Sequence, residues 1–286
     1  MSFILALNSA NVTGSANSTY RYNFVSGSFQ AQDMEMCIST AAIPYSWFNV
    51  SQYYNNQQIN LTFPTGATTT TLSFALKAGF YAISDINNAI QQQCISLGLY
   101  LKSDATNYVF FFQLLTNTTY YAIQAISYVV PTTLGTYTYA SSGFYSTAGG
   151  LPSVSNQVPQ MTIAAGGIGV QTGFSNGTYP ATSTSATTVS SLSNLTPNGT
   201  QVNSLVLRCN LVSNSVTMPS DILDGFPINA QFGSAITYNP SFEKYVKIAN
   251  GTYSSMVLTL VDQNFNAVQA QDPNIAITLL IRKKAT

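Results

Sequence analysis

The acidic residues include one group whose spacing could do chemistry, Asp221 and Asp224 in "MPSDILDGF". Two nearby carboxylates can act as the acid and base of a glycosidase. Beside a proline and a glycine, the same i, i+3 spacing more commonly caps a helical turn, and that is the role expected here. Asp262 and Asp272 flank the last turn of the chain. With turn carbonyls they could ligate calcium, but their ordinary work is to accept backbone amide bonds in the turn. The segment "GGIGVQTG" looks like a phosphate loop only on the surface, since it lacks the lysine and no clear helix is expected after it.

What is missing excludes more. The chain contains no histidine, which removes Ser–His and Cys–His nucleophile pairs and the commonest metal ligand. The three cysteines, Cys37, Cys94 and Cys209, stand in no metal or redox spacing and are expected to be buried and reduced. No catalytic residue, metal site or cofactor is assigned, and the chain is not expected to be an enzyme. One cluster of charge stands out, Arg282, Lys283 and Lys284 in the closing "DPNIAITLLIRKKAT". It has two readings. In one, it is a solvated end that stops the last strand from pairing with another chain. In the other, it is an interior or interface contact with nucleic acid or an acidic partner, weak for one copy and stronger for many.

Charge is scarce throughout, at 6% of 286 residues, with nine basic and nine acidic side chains. Typical soluble domains carry about 25%. A surface of hydroxyls and amides attracts neither nucleic acid nor membrane over long range, and costs little to desolvate in a large interface. Such a surface suits burial under other subunits; it also suits an ordinary β-protein with Asn-, Ser- and Thr-rich loops. No apolar run approaches a membrane span, and "MSFILAL" lacks the basic start and length of a signal peptide, so cytosolic synthesis is expected. Nine N-x-S/T sequons, at Asn11, Asn17, Asn49, Asn60, Asn117, Asn176, Asn194, Asn198 and Asn250, follow from composition, and glycosylation is not expected.

Strands must position these residues. "TYRYNFVSGSF" sets Tyr20, Tyr22 and Phe24 on one face, and "DMEMCIS" sets Met34, Met36 and Ile38 inward. "QINLTF" and "TTTLSFALKAGFY" follow around a turn at Pro64–Gly66. The period then changes: Ile86, Ala89, Ile90, Cys94 and Leu97 share one face of a helix, with Ser84 or Asp85 to cap it and Gly98 to end it. From Ala105 to Leu207 no residue is charged, and from about Pro131 to Pro197 the composition turns to Gly, Ser, Thr, Tyr and Ala. Recurring apolar pieces such as "QMTIAAGGIGVQTGF" point to an ordered β-rich insertion rather than a linker. In "NSLVLRCNLV", Leu205, Leu207, Cys209 and Leu211 face one way; in "YSSMVLTLVDQNFN", Met256, Leu258 and Leu260 do. In the closing strand Ile275, Ile277, Leu279 and Ile281 alternate with Ala276, Thr278, Leu280 and Arg282. Eight to ten strands, one helix and long loops fit an all-β single jelly roll, an eight-stranded antiparallel sandwich with one short helix and a β-rich insertion. The expected organisation is a jelly roll from 1–130 and 201–286 around an insertion at 131–200.

Several segments in order carry a resemblance: "NSANVTGSANSTYRYNFVSGSF", "CISTAAIPYSWFNV", "GFYAISDINNAI", "NSLVLRCNLVSN", "FGSAITYNPSFEKYVKIANGTYSSMVLTLVDQNF" and "DPNIAITLLIRKK". Together they resemble the minor capsid, or penton, proteins of virophages and polinton-like viruses, over Asn8–Ile126 and Asn203–Lys284 but not across the middle insertion. The resemblance implies a single jelly roll standing in an icosahedral shell. Five copies would close a vertex among trimers of a double-jelly-roll major capsid protein, with the insertion as an outward-facing upper domain. The implied setting is the virion, made in the host cytoplasm or a virus factory. Arg282, Lys283 and Lys284 would then face the interior, with weak contact to packaged DNA, or neighbouring subunits. The rival reading is a jelly-roll attachment or lectin-like protein whose Tyr-rich, uncharged insertion recognises a host glycan or receptor.

Overall fold

A computed structural model describes residues 2–284. Residues 2–48 and 202–284 make one unit, and Asn49–Gln201 makes a second. In the first, the period-two segments become eight main strands. They are β1 (Ser2–Asn8), β2 (Thr19–Asn23), β3 (Met34–Pro44), β4 (Ser204–Cys209), β5 (Ile222–Pro227), β6 (Ala235–Tyr238), β7 (Ser255–Asp262) and β8 (Ala276–Lys283). One sheet runs β1-β8-β3-β6 and the other β5-β4-β7-β2, all antiparallel. That order, with the last strand slotted between the first and third, is a single jelly roll. The fold is all-β, as the sequence pattern implies.

Alternation builds its core. Ile277, Leu279 and Ile281 of β8, Met256, Leu258 and Leu260 of β7, and Leu205, Leu207 and Cys209 of β4 are all at most 2% exposed. Side chains at every second position of both sheets meet between the layers. Tyr20 of β2 is fully buried in the same unit and donates its hydroxyl to the Asn17 carbonyl. A bulge between Thr278 and Leu279 shifts the β8–β3 register by one residue partway along.

The second unit begins earlier than composition suggests. The expected boundary at residue 130 moves to Asn49, because segments on both sides of 130 share one core. Ile59, Leu61 and Phe63, then Ile86 and Ile90, then Tyr145, Met161, Ile163 and Phe174 all lie in that single apolar cluster. Its four-stranded sheet orders Gly177–Tyr179, Gln160–Ile163, Gln58–Thr65 and Thr68–Ala75, so strands from the Gly/Ser/Thr-rich stretch pair directly with strands before residue 75. A three-stranded sheet joins Phe112–Asn117, Ala122–Ser127 and Val189–Leu192. The turn placed at Pro64–Gly66 also shifts: Pro64 and Thr65 stay in strand, and the chain reverses at residues 66–67.

The long helix α1 (Ile83–Leu97) buries Ile86, Asn87, Ile90 and Cys94. Neither Ser84 nor Asp85 occupies the cap position. Ala82 does, and Asp85, on the third helical residue, accepts the Ala82 amide at 2.8 Å. Asn87 fixes the helix to the three-stranded sheet by accepting the Leu114 amide at 2.9 Å. Gly98 ends the helix with φ +66°, and a β-carbon there would collide with the Ser142 carbonyl. Tyr145, fully buried, donates its hydroxyl to the Pro64 carbonyl at 2.8 Å.

All three cysteines are free and buried. Burial pushes Cys94 from its ordinary 9.0 to about 12 and Cys209 to about 11, and pushes Tyr20 from 10.0 to about 12.

Two outcomes follow from this fold. Replacing Gly98→Ala forces a side chain into a left-handed, crowded position and is expected to destabilise the protein by about 1–3 kcal/mol, read from urea midpoints. The raised thiol and phenol values mean that the native state holds protons the unfolded chain releases above pH 9. Their stabilisation is complete below pH 9 and lost as the pH rises through 11–12. Urea midpoints should fall steadily over that alkaline range, and a thiol reagent at pH 8 should label the native protein far more slowly than the unfolded one.

Candidate functional site

The three basic residues at the end of β8 separate into two kinds. Arg282 is a cross-strand neighbour of Glu35 on β3, and its Nε donates to Glu35 Oε1 at 2.7 Å. Its Nη1 lies 3.9 Å from Glu243 Oε2, and its guanidinium carbon sits 3.4 Å from the centre of the Tyr245 ring. A planar guanidinium that pairs at its edge and stacks on its face is a fixed structural group. The Glu35 hydrogen bond pushes Arg282 further above its ordinary value. β8 therefore does not leave the fold at Arg282. It runs on to Lys283, and the Lys284 amide still donates to the Asp33 carbonyl at 2.7 Å. Lys283 and Lys284 are exposed, and among the described residues neither ammonium has an ion-pair partner.

These lysines stand at one end of the sandwich with three loops, 24–33, 210–221 and 239–254. Strand pairing of Phe29–Ala31 with Gly251–Tyr253 ties the first loop to the third, and the Asp33 amide donates to Asn250 Oδ1 at 3.1 Å. The Ser213 amide donates to the Lys247 carbonyl at 2.9 Å and ties in the second. These loops expose apolar side chains to an unusual degree: Val25 is 95% exposed, Val216 89%, Met218 93% and Phe242 69%. Ile4, on the edge strand β1, is 75% exposed. Scattered exposed apolar residues are ordinary, whereas several on loops bonded together at one end, beside two free lysines, make a surface suited to contact. Sequence reading passed over these residues. Their signal is faint, one or two apolar residues inside polar turn segments such as "SNSVTMPSD", which holds Val216 and Met218.

The carboxylates resolve differently from expectation. Asp221 and Asp224 cap no helical turn, because the segment is extended and continues as β5. Each is engaged with its own partners. Arg208 grips Asp221 from two nitrogens, Nε at 3.0 Å and Nη2 at 2.9 Å. Asp224 accepts the Tyr238 hydroxyl at 2.6 Å, the Gly225 amide at 2.9 Å and Lys244 Nζ at 3.3 Å, while Phe226 stacks on Tyr238 with centroids 4.3 Å apart. Each carboxylate is thus held by its own stabilising partners, Asp221 just before β5 and Asp224 within it. Asp262 accepts the Asn264 and Asn266 amides, both at 2.8 Å, and Asp272 accepts the Asn274 amide at 2.8 Å, which is the turn role expected of both. Among the described residues no three His, Cys, Asp or Glu side chains gather to hold a metal ion, and no helix is long and apolar enough to cross a membrane. "GGIGVQTG" contains a single helical turn at Gly169–Thr172, and the residues after it run as loop into the strand Gly177–Tyr179. The sequon residue Asn49 is buried and commits its side chain to the Tyr81 amide and to the Tyr81 and Gly199 carbonyls, which leaves no room for a glycan.

Fold and surface define a single-jelly-roll protein with an inserted second unit and a contact-prone loop end. No protein-family model matches the chain, and no curated protein matches it. Among solved structures it is similar to the crystal structure of the selenomethionine-labelled mavirus penton protein, at 10% identity and a TM-score of 0.44, with 99% of each chain covered. It is also similar to the 3.5 Å cryo-EM structure of the Sputnik virophage, at 10% identity and a TM-score of 0.39, covering 99% of this chain and 98% of that one.

Removing the Tyr238 hydroxyl tests the Asp224 cluster. Tyr238→Phe is expected to cost about 1.5–3 kcal/mol, the range for a hydrogen bond to a charged group, read from urea denaturation at neutral pH.

Proposed function

We propose that this chain is a structural capsid protein, and more specifically a penton that forms homopentamers at the five-fold vertices of an icosahedral shell. The observation that carries the reading is the complete eight-strand single jelly roll, an architecture used chiefly by viral shells, lectins and cupins. A cupin needs a metal-ligand cluster, and a chain without histidine is ill equipped to build one. Between shell and lectin, the sequence resemblance favours the shell. Five of the six resembling segments fall on the strands and loops of the sandwich, and one falls on the start of α1.

A low-charge surface supports the same choice, since a ring in which each subunit offers two different faces must desolvate much of itself. In this reading the loop end with Val25, Val216, Met218 and Phe242 meets neighbouring subunits or the double-jelly-roll major capsid protein. Lys283 and Lys284 are the residues left for weak contact with packaged DNA, because Arg282 is bound within the fold. The second unit is the outward-facing domain, and the virion is the protein's location.

Native mass spectrometry of the purified full chain tests the proposal. A discrete five-chain species, ring-shaped in negative stain, is the expected result. A chain that stays monomeric at every concentration, and does not join shells when co-expressed with its major capsid protein, would overturn it.

A further inference from the structure

The second unit contains a cleft of about 550 Å³ whose lining is aromatic and amide-bearing. Phe111 and Phe112 are buried beneath it, and Phe110, Tyr128 and Tyr137 are half-buried along it. Gln91 from α1, Gln113 and Thr188 supply polar groups. The volume lies within the range of about 300–1,000 Å³ typical of small-ligand sites. Nothing in the capsid reading uses this cleft.

Its chemistry restricts what can bind. No lining residue is charged, and no charged residue occurs anywhere from Ala105 to Leu207. A phosphate, sulfate or carboxylate would meet no cation there, so nucleotides, nucleic acids and acidic sugars are poorly matched. A purely apolar ligand is also poorly matched. Tyr128 donates to Gln113 Oε1 at 3.2 Å, which leaves the Gln113 amide nitrogen available. Among the described residues the Gln91 amide, the Tyr137 hydroxyl and the Thr188 hydroxyl have no hydrogen-bond partner. An acyl chain would strand these groups away from water, at a loss of about 1–3 kcal/mol for each one fully buried.

A neutral sugar satisfies both demands. Its C–H face covers aromatic rings and its hydroxyls both donate and accept, matching the amides and hydroxyls at the rim. We infer that this cleft binds a neutral oligosaccharide, with Tyr128 and Tyr137 as the apolar platform and Gln91, Gln113 and Thr188 as the polar contacts. The inference does not depend on the capsid reading, since a monomer and a pentamer would both carry the cleft.

The test uses the full-length protein on an array of neutral hexose and N-acetylhexosamine oligosaccharides, with sialylated and sulfated glycans on the same array. Hits are confirmed by saturation-transfer NMR. Binding to neutral glycans is expected, with about a tenfold loss, equal to about 1.4 kcal/mol, in Tyr137→Ala. Thr188→Ala and Gln91→Ala, at positions away from the core, are expected to weaken binding without lowering the urea midpoint. Tyr121→Ala, at a 75% exposed tyrosine outside the cleft, should bind like the parent chain. An array with no neutral hit, hits confined to acidic glycans, or equal binding by all the cleft variants would each overturn the inference.

Discussion

The placement of β8 between β1 and β3 is the constraint on which the first unit depends. Until Ala276–Lys283 arrives, β1 and β3 share no partner and the β1-β8-β3-β6 sheet has a gap at its centre. The contact that marks this closure, Arg282 with Glu35, joins residues 247 apart in sequence. Non-local closure of this kind is slow to reach, because chain entropy is lost before contacts repay it. The insertion of Asn49–Gln201 between β3 and β4 makes the gap longer, yet loop entropy rises only logarithmically, by about 0.6 kcal/mol for each doubling of length. A second unit with its own core therefore adds little to the difficulty of closing the first, provided it folds on its own terms.

Charge in this molecule is spent on internal fixation. Arg208 holds Asp221, Lys244 and Tyr238 hold Asp224, and Arg282 holds Glu35 while stacking on Tyr245. The first two pairs tie consecutive strands, β4 to the start of β5 and β5 to β6, and the third ties the last strand to the third, 247 residues away in sequence. The second unit does the same with neutral amides, as where Asn87 receives the Leu114 amide and Gln171 donates to the Asn49 carbonyl at 3.0 Å. What remains outside is mostly hydroxyls, amides and aromatic edges, with a few scattered charges such as Arg21, Lys77, Lys283 and Lys284 and the apolar loop end. Such a surface is governed by shape and hydrogen-bond match and responds weakly to ionic strength.

The period-two runs of β2, β4, β7 and β8 were legible in the sequence, because alternation and burial coincide residue by residue there. So was α1, from Ile83 to Gly98, since a change of period and a left-handed glycine mark both its faces and its end. The domain boundary was not legible. Strands such as Gln58–Thr65 carry the same alternation as the sandwich strands, and alternation does not say which sheet a strand joins. Composition suggested a break near 131, but Tyr145, Met161 and Phe174 bury against residues before it. Asp221 and Asp224 misled for a related reason: spacing of three suggests a helical turn only where the backbone is helical, and here β5 pairing with β4 makes it extended. The aromatic cleft was visible only as a vague richness in Tyr and Phe, because its walls come from segments near 91, 110, 128, 137 and 188.

Asn49 gives the second unit a further property. Its side chain bonds to residue 81 and to residue 199, and its carbonyl receives Asn56 and Gln171, so the first residue of the unit is clasped to its last turn. A module whose ends are fastened to each other from within behaves as a cassette. Its fastening lies within the cassette itself, so the frame of β3 and β4 needs only two chain ends to carry it, and changes inside the cassette leave the sandwich core untouched.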